Sequence, residues 1–438
     1  MRYLSTRGAG PVSLAQALSE GLAADGGLYV PERLPSLKSL DPEDTLPETA
    51  TQVLAPFLAD SPLAPDLPGL CRRTLDLPVP LKALHGMGDS QMLELFHGPT
   101  AAFKDFAARF LAGALACLQG DANERRTVLV ATSGDTGAAV AAAFHRLPGF
   151  RVVVIYPDNR VSARQAHQLE AFGDNVLTLR VAGDFDDCQR MVKQLLGDKE
   201  AREWLRPTSA NSISIGRLLP QLCYYAHASV RLAAHYQGPI NVVIPTGNLG
   251  NALACLMARE MGLPIGEVHF ATNANRTLVD YFASGQYHGR PSLATLANAM
   301  DVGDPSNFER LQWLMQQRPD VGQAVSASSV ADTVIEARIR WADQHLGETL
   351  CPHTACALEA LAQKRDAGDQ RPWLVVATAH PAKFEQVVEP LLGREVALPQ
   401  ALAELLHRPR RSECLAANVD ALRQRLREWI EMPEGLAV

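Results

Sequence analysis

Between Val128 and Thr378 one pattern recurs along the chain: short runs that are apolar at nearly every position and rich in β-branched residues, most followed by an Ala-rich or amphipathic stretch. The runs are VLVAT from Val128, RVVVIY from Arg151, VLTLRV from Val176, INVVIP from Ile240, EVHFAT from Glu267 and WLVVAT from Trp373. A strand with one wet face alternates apolar and polar residues, whereas a strand covered on both faces does not. The pattern therefore predicts strands alternating with helices in an open, doubly wound α/β core. Two sub-lobes are expected, one holding the strands between Val128 and Val181 and one those from Ile240 onward. A ligand of such a core sits outside the carboxyl ends of the strands.

Residues 1 to about 78 differ, being Pro-rich and acidic, with DPEDTLPETA and SPLAPDLPGL interrupting short helical runs such as Leu14 to Leu22. They read as a small N-terminal lobe. Val330 to Leu346 predicts a helix, and Ser412 to Ile430 a charged, Arg-rich terminal helix. The expected division is an N-terminal lobe over 1–78, a core over 79–400 with a smaller mobile lobe inserted at about 120–235, and a helical tail over 401–438.

Composition narrows the function. The 438 residues carry 41 Lys and Arg against 48 Asp and Glu, a net charge of −7, and 47% are hydrophobic, which fits a folded chain and not a disordered one. A mildly acidic chain without a basic block argues against a nucleic-acid partner, because phosphate backbones are bound through concentrated Lys and Arg. The eight cysteines lie scattered without a CxxC pair, mostly in apolar helical stretches, which suits a reducing compartment. The opening MRYLSTRGAGPVSLAQ has no apolar signal region, and no apolar stretch reaches membrane-spanning length. A cytoplasmic enzyme acting on a small molecule, as a monomer or homodimer, is the expectation.

A Walker A loop is excluded by the lack of any GK dipeptide, and GxGxxG, HExxH and GxSxG do not occur. Cys351-Pro352-His353-Thr354-Ala355-Cys356 has no fourth ligand at zinc-finger spacing, and reads as a helix start with one buried thiol. No metal site is expected.

What remains is one lysine and three turns. Of seven lysines, most lie beside charges in segments that look solvent-facing, but Lys104 sits in FHGPTAAFKDFAARFLAGAL, flanked by Ala101, Ala108 and Leu111. Apolar surroundings disfavour the ammonium form and make a lysine nucleophilic enough for a Schiff base. A snorkelling lysine on an amphipathic helix is the bland alternative. Three strand-to-helix junctions place small or polar residues where exposed N–H groups can meet an anion. They are Thr132-Ser133-Gly134-Asp135-Thr136, the Gly247 to Asn251 turn of PTGNLGN, and the turn of ATAHPAKF, with Thr378 at a strand end and Pro381 near a helix start. Three such turns with an apolar lysine suit a phosphate-bearing cofactor and a carboxylate-bearing substrate. Pyridoxal phosphate requires that set, since it takes a lysine, a phosphate cradle and a partner for its ring nitrogen.

In order along the chain, HGPTAAFKDF, ATSGDTGAA, SANSISIGR, PTGNLGN, NAMDVGDPSNFER and TAHPAKF resemble the threonine synthases of the pyridoxal-phosphate fold type II group, and YLSTRG and GLAADGGLYVPE resemble their N-terminal lobe. The resemblance spans nearly the whole chain. It implies a two-lobed α/β core with parallel and mixed sheets covered by helices, plus that N-terminal lobe. It also implies conversion of O-phospho-L-homoserine and water to L-threonine and phosphate. By resemblance Lys104 binds the cofactor. Gly247, Asn248, Leu249, Gly250 and Asn251 cradle its phosphate, Thr378 faces its ring nitrogen, and Asp135 lies near its ring hydroxyl. Thr132, Ser133, Gly134 and Thr136 hold the substrate carboxylate, while Ser212 and Arg217 grip the substrate phosphate.

Two positions depart from the wider group. Asp135 stands where many fold type II enzymes have Asn, so it either shares a proton with the cofactor or points away; Cys351 stands where relatives often have an acid. The features by which plant members bind an adenosyl effector are missing. The rival readings are a serine or threonine dehydratase, which needs Lys104 and the phosphate loop but not Ser212 and Arg217, and a non-catalytic relative or phosphometabolite-binding module.

Overall fold

In a computed structural model, which describes residues 1–119, 124–158 and 161–431, the chain forms two α/β lobes that share one cleft, and an N-terminal lobe. The last residues of the expected tail, 432–438, lie outside the described residues. Strands β1 (Tyr3–Ser5) and β2 (Tyr29–Pro31) pair antiparallel in the N-terminal lobe. They are followed by β3 (Leu81–Ala83), β4 (Ser90–Glu94), β5 (Arg126–Ala131), β6 (Phe150–Pro157), β7 (Val176–Ala182) and β8 (Pro207–Ser209). Then come β9 (Ile240–Pro245), β10 (Ile265–Thr272), β11 (Val325–Ser329), β12 (Trp373–Ala377) and β13 (Glu413–Ala416).

The smaller sheet has the order β13-β7-β6-β5-β8 and is parallel throughout. The larger has the order β11-β10-β9-β12-β4-β3 and is parallel except where β3 meets β4. All six apolar runs are strands, and β9 and β12 are buried at every residue, as double coverage by helices requires. Register pairs Val128 with Val152 and Val152 with Val176, stacking β-branched side chains into shared faces.

The predicted terminal helix over Ser412 to Ile430 is corrected. Glu413–Ala416 instead adds a parallel edge strand beside β7, and only Val419–Glu431 is helical. That helix buries Leu422, Leu426 and Trp429 in the cluster that also holds Cys188 and Met191, so the tail completes the smaller lobe. The predicted helix from Val330 begins at Asp332 and ends at Leu346.

In the N-terminal lobe the Pro-rich acidic stretch has a local explanation. The helix Leu46–Leu58 carries Pro47 in its first turn, where a missing N–H costs nothing, and the Glu48 carboxylate accepts from Thr45 N at 2.8 Å and Thr45 Oγ1 at 2.6 Å. Its inner face packs on the helix Gln221–Tyr236. The helix Lys104–Leu118 packs against Asp135–Phe144 and Leu67–Leu75, so Lys104, its first residue, sits where the lobes meet.

Candidate active site

The carboxyl ends of β5, β9 and β12 open on one cleft, where the switch-point rule places a ligand. Lys104 lies in its wall. The preceding loop is fixed to the end of β12: Phe103 N donates to Thr378 O at 2.8 Å, and His380 N donates to Ala101 O at 3.0 Å. Ala101 takes a left-handed turn (φ 55°), and the buried Asp105 carboxylate accepts from Thr100 N at 2.9 Å and Thr100 Oγ1 at 2.7 Å. Burial pushes the Lys104 amine down to about 8, helped by the cations Arg217 and Lys383 and opposed by Asp135. The positive end of its own helix acts in the same direction as burial. A snorkelling surface lysine is thereby ruled out.

The turn after β5 leads into the helix Asp135–Phe144. Gly134 has φ 137°, and a Cβ there would stand 2.8 Å from Gln165 Nε2, so glycine is required. Thr132 Oγ1 accepts from Gly134 N at 3.0 Å and Gly137 N at 2.9 Å, and donates to Gly134 O at 3.1 Å. Its hydroxyl builds the turn. Asp135 is paired: its Oδ1 lies 3.0 Å from Lys383 Nζ and accepts from Gln165 Nε2 at 3.2 Å. Burial alone would raise the Asp135 carboxyl, but Lys383 and Lys104 hold it below the usual carboxylate range.

In the turn after β9, Leu249 occupies the left-handed region (φ 63°) so that Gly250 can open the helix Gly250–Glu260 toward the cleft. A Cβ on Gly247 would come within 2.7 Å of Met300 Cα, because the Ala297–Asp301 segment crosses directly above it. A Cβ on Gly250 would meet nothing closer than Asn307 Nδ2 at 3.8 Å, which leaves a hollow over the helix N-terminus. Asn248 Nδ2 donates to Ser212 Oγ at 2.7 Å, and the hydroxyls of Tyr224 and Tyr225 both donate to Asn251 Oδ1 at 2.7 Å. Thr378 lines the opposite wall.

Arg217 is no surface arginine. It is buried, one guanidinium nitrogen donates to Ala210 O at 2.6 Å, and burial lowers its pKa to about 10. No carboxylate pairs with it directly among the described residues, so the cleft holds a cation in want of an anion.

The site residues named from sequence thus converge on one cleft, with Gly134 acting behind the turn. Sequence reading missed others. Lys383, expected at the surface, is fully buried; Arg310 is also fully buried and donates to Tyr29 O at 3.0 and 2.9 Å, Ile213 O at 2.7 Å and Asn307 Oδ1 at 2.8 Å. Arg310 thereby braces the Ser212 loop against the N-terminal lobe. Arg310→Met is expected to cost about 3 kcal/mol or more by stranding those acceptors, as read from denaturant unfolding; an unchanged midpoint would contradict this brace. Arg310 and Asn307 lie within NFER, a segment already singled out, but nothing local marks them as buried.

Cys351 caps the helix Pro352–Asp366, its Sγ accepting from Thr354 N at 3.4 Å, so the stretch is a helix start as expected, but both of its thiols, Cys351 and Cys356, are buried and not one. His353, two residues on, lines the cleft. Its Nε2 accepts from Ala299 N at 3.1 Å, so the neutral ring carries its proton on Nδ1, and burial lowers its pKa to about 4.

Whether pyridoxal phosphate suits this cleft is answered by its unmet groups. Arg217 Nε, Asn248 Oδ1, Asn251 Nδ2 and His353 Nδ1 are buried in the cleft wall without hydrogen-bond partners, and the hollow at Gly250 lies against a helix N-terminus. A phosphate-bearing group fits.

Comparisons with known proteins agree. Residues 90–381 match the family of pyridoxal-phosphate dependent enzymes, residues 2–75 the threonine synthase N terminus, and residues 354–425 the threonine synthase C-terminal family. The threonine synthases of Serratia marcescens and of Escherichia coli are each 38% identical, over 94% of this chain and 96% of theirs. The crystal structure of the Escherichia coli threonine synthase superposes with a TM-score of 0.90 at 37% identity, covering 98% of this chain and all of that one. The pyridoxal-phosphate-bound threonine synthase of Brucella melitensis gives 0.88 at 32% identity, over 99% of this chain and all of that one.

Proposed function

The chain belongs to the threonine synthase family of pyridoxal-phosphate-dependent enzymes, and on that premise we propose how its own residues divide the work of converting O-phospho-L-homoserine and water to L-threonine and phosphate. The carrying observation is a lysine poised near neutrality, set between a phosphate hollow and an unpaired buried arginine.

When bound, pyridoxal phosphate would supply a sink for the electron pairs left on carbon as protons are removed next to the amino group. Lys104 would hold it, and the free Lys104 amine removes and returns the α-proton, for which a pKa near 8 is suited. The N–H groups of Gly247 to Asn251 and the following helix N-terminus would hold the cofactor phosphate, and the Thr378 hydroxyl would serve the ring nitrogen. Ser133 and Thr136, set by the Gly134 turn behind them, would receive the substrate carboxylate at the start of a second helix. Ser212 and Arg217 take the substrate phosphate and retain it as it leaves the γ-carbon, before water adds at the β-carbon. A substrate-bearing cleft must exclude all but one water, and closure of the smaller lobe would serve that end.

Two glycine variants separate cradle from scaffold. Gly250→Ala, whose added Cβ comes no closer than 3.8 Å to any protein atom, is expected to keep its melting temperature but lose about tenfold or more in cofactor affinity, equivalent to about 1.4 kcal/mol. Gly247→Ala clashes with the Met300 backbone and is expected to cost about 1–3 kcal/mol of stability as well. Thermal melts and cofactor titrations report both, and full affinity in the Gly250 variant would remove the cradle from this loop.

A cytoplasmic setting, a monomer or homodimer and independence of nucleic acid are part of the same proposal. All eight cysteines are free thiols, and among the described residues no helix is long and apolar enough to cross a membrane.

A further inference from the structure

Lys383 follows β12 in the 3₁₀ turn Pro381–Phe384, and its side chain is 0% exposed. Its ammonium bridges the two loops on which the chemistry rests. It lies 3.0 Å from Asp135 Oδ1, at the head of the helix beyond β5, and donates to Thr100 O at 2.5 Å, in the loop that carries Lys104. The turn is itself clamped from the smaller lobe: Ser162 Oγ donates to Lys383 O at 3.0 Å, and Arg164 to Ala382 O at 2.8 Å.

Asp135 is the one carboxylate acting directly on Lys104. A carboxylate left alone beside an amine would hold that amine as an ammonium, which can neither attack nor take a proton. We propose that Lys383 is a positioning residue for Lys104: by taking the Asp135 carboxylate at hydrogen-bond distance it keeps that charge from trapping Lys104, and through Thr100 it fixes the loop Lys104 stands on. The proposal rests on Lys104 being the cofactor lysine. The other groups facing these residues are Arg217, whose charge acts on Lys104 in the same sense as Lys383, the buried Asp105, which lies within the field of Lys383, and His353 and His380, both of which burial keeps neutral.

Opposite charges at Lys383 and Asp135 must move the proton on the lysine–cofactor linkage in opposite directions. The test is the pH titration of the visible band of the holoenzyme in the wild type, Lys383→Met, Asp135→Asn and the double variant. The expected midpoint rises by about one pH unit or more in Lys383→Met, a tenfold change in proton affinity, and falls in Asp135→Asn, with the double variant between them. A purely structural role would lower melting temperatures without opposed shifts. Lys383→Met strands a buried carboxylate and is the variant at risk of misfolding. Comparing Asp135→Asn with Asp135→Asn/Lys383→Met, in which no charge is stranded, then shows the same upward step. No shift on removing Lys383, or shifts of one sign in both single variants, overturns the proposal. A wild type that forms no visible band with pyridoxal phosphate overturns the Lys104 reading beneath it, so the two failures are told apart.

Discussion

Lys104→Ala is expected to lower phosphate release from O-phosphohomoserine by about 10⁴-fold or more, since it removes both the attachment point and the α-proton base. It is expected to do so without unfolding the protein. The amine's pKa falls from 10.5 to about 8 on folding, so below pH 8 the native cleft carries an ammonium that burial disfavours, and this cost fades only as pH rises from about 8 toward 10.5. Removing the group relieves that cost at neutral pH, and the melting temperature of the cofactor-free variant is expected to hold or rise. Residual turnover near the wild-type rate, or loss of activity matched by loss of fold, would move the chemistry elsewhere.

Arg217→Ala is expected to reduce kcat/KM for O-phosphohomoserine by about 10²–10³-fold, the cost of losing a desolvated, charge-assisted contact to a phosphate. Arg217→Lys keeps the charge but not the planar fork, and recovers only part of that loss. Dehydration of free serine or threonine, where the enzyme shows any, needs no phosphate contact and is expected to stay nearly unchanged. An equal fall in both activities would show that Arg217 supports the fold through Ala210 and not the substrate. The same comparison separates this family's reaction from the dehydratase alternative.

The fold was legible where strands are buried on both faces, because a continuous apolar run needs no distant partner to be recognised. The strands that escaped notice are short or polar: SQMLE in β4, VSASS in β11, PTS in β8. Each is a strand only because a neighbour supplies its ladder, as β10 does for β11 and β5 for β8. The tail shows the same effect, since ECLA is helix-compatible by itself and becomes β13 through β7.

The site divides along similar lines. Lys104 stood out because its neighbours in sequence are apolar, and the Gly and Thr turns because their chemistry is local. Lys383 and Arg310 did not, since a buried charge is made tolerable by partners far away in the chain: Asp135 and Thr100 for the first, Tyr29 and Ile213 for the second. Asp135 looked anomalous beside a cofactor hydroxyl for the same reason, as its counter-charge arrives from the turn after β12. Thr132, expected at the substrate carboxylate from its position in the turn, lines the cleft and also closes that turn with its hydroxyl.

The most direct test is reduction of the purified, yellow holoenzyme with borohydride, followed by peptide mass mapping of the adduct. The pyridoxyl mass is expected on the peptide containing Lys104, with the visible band lost and phosphate release abolished together. An adduct on Lys383 or any other lysine, or a protein that stays colourless with added pyridoxal phosphate, would contradict the assignment of Lys104 as the cofactor lysine.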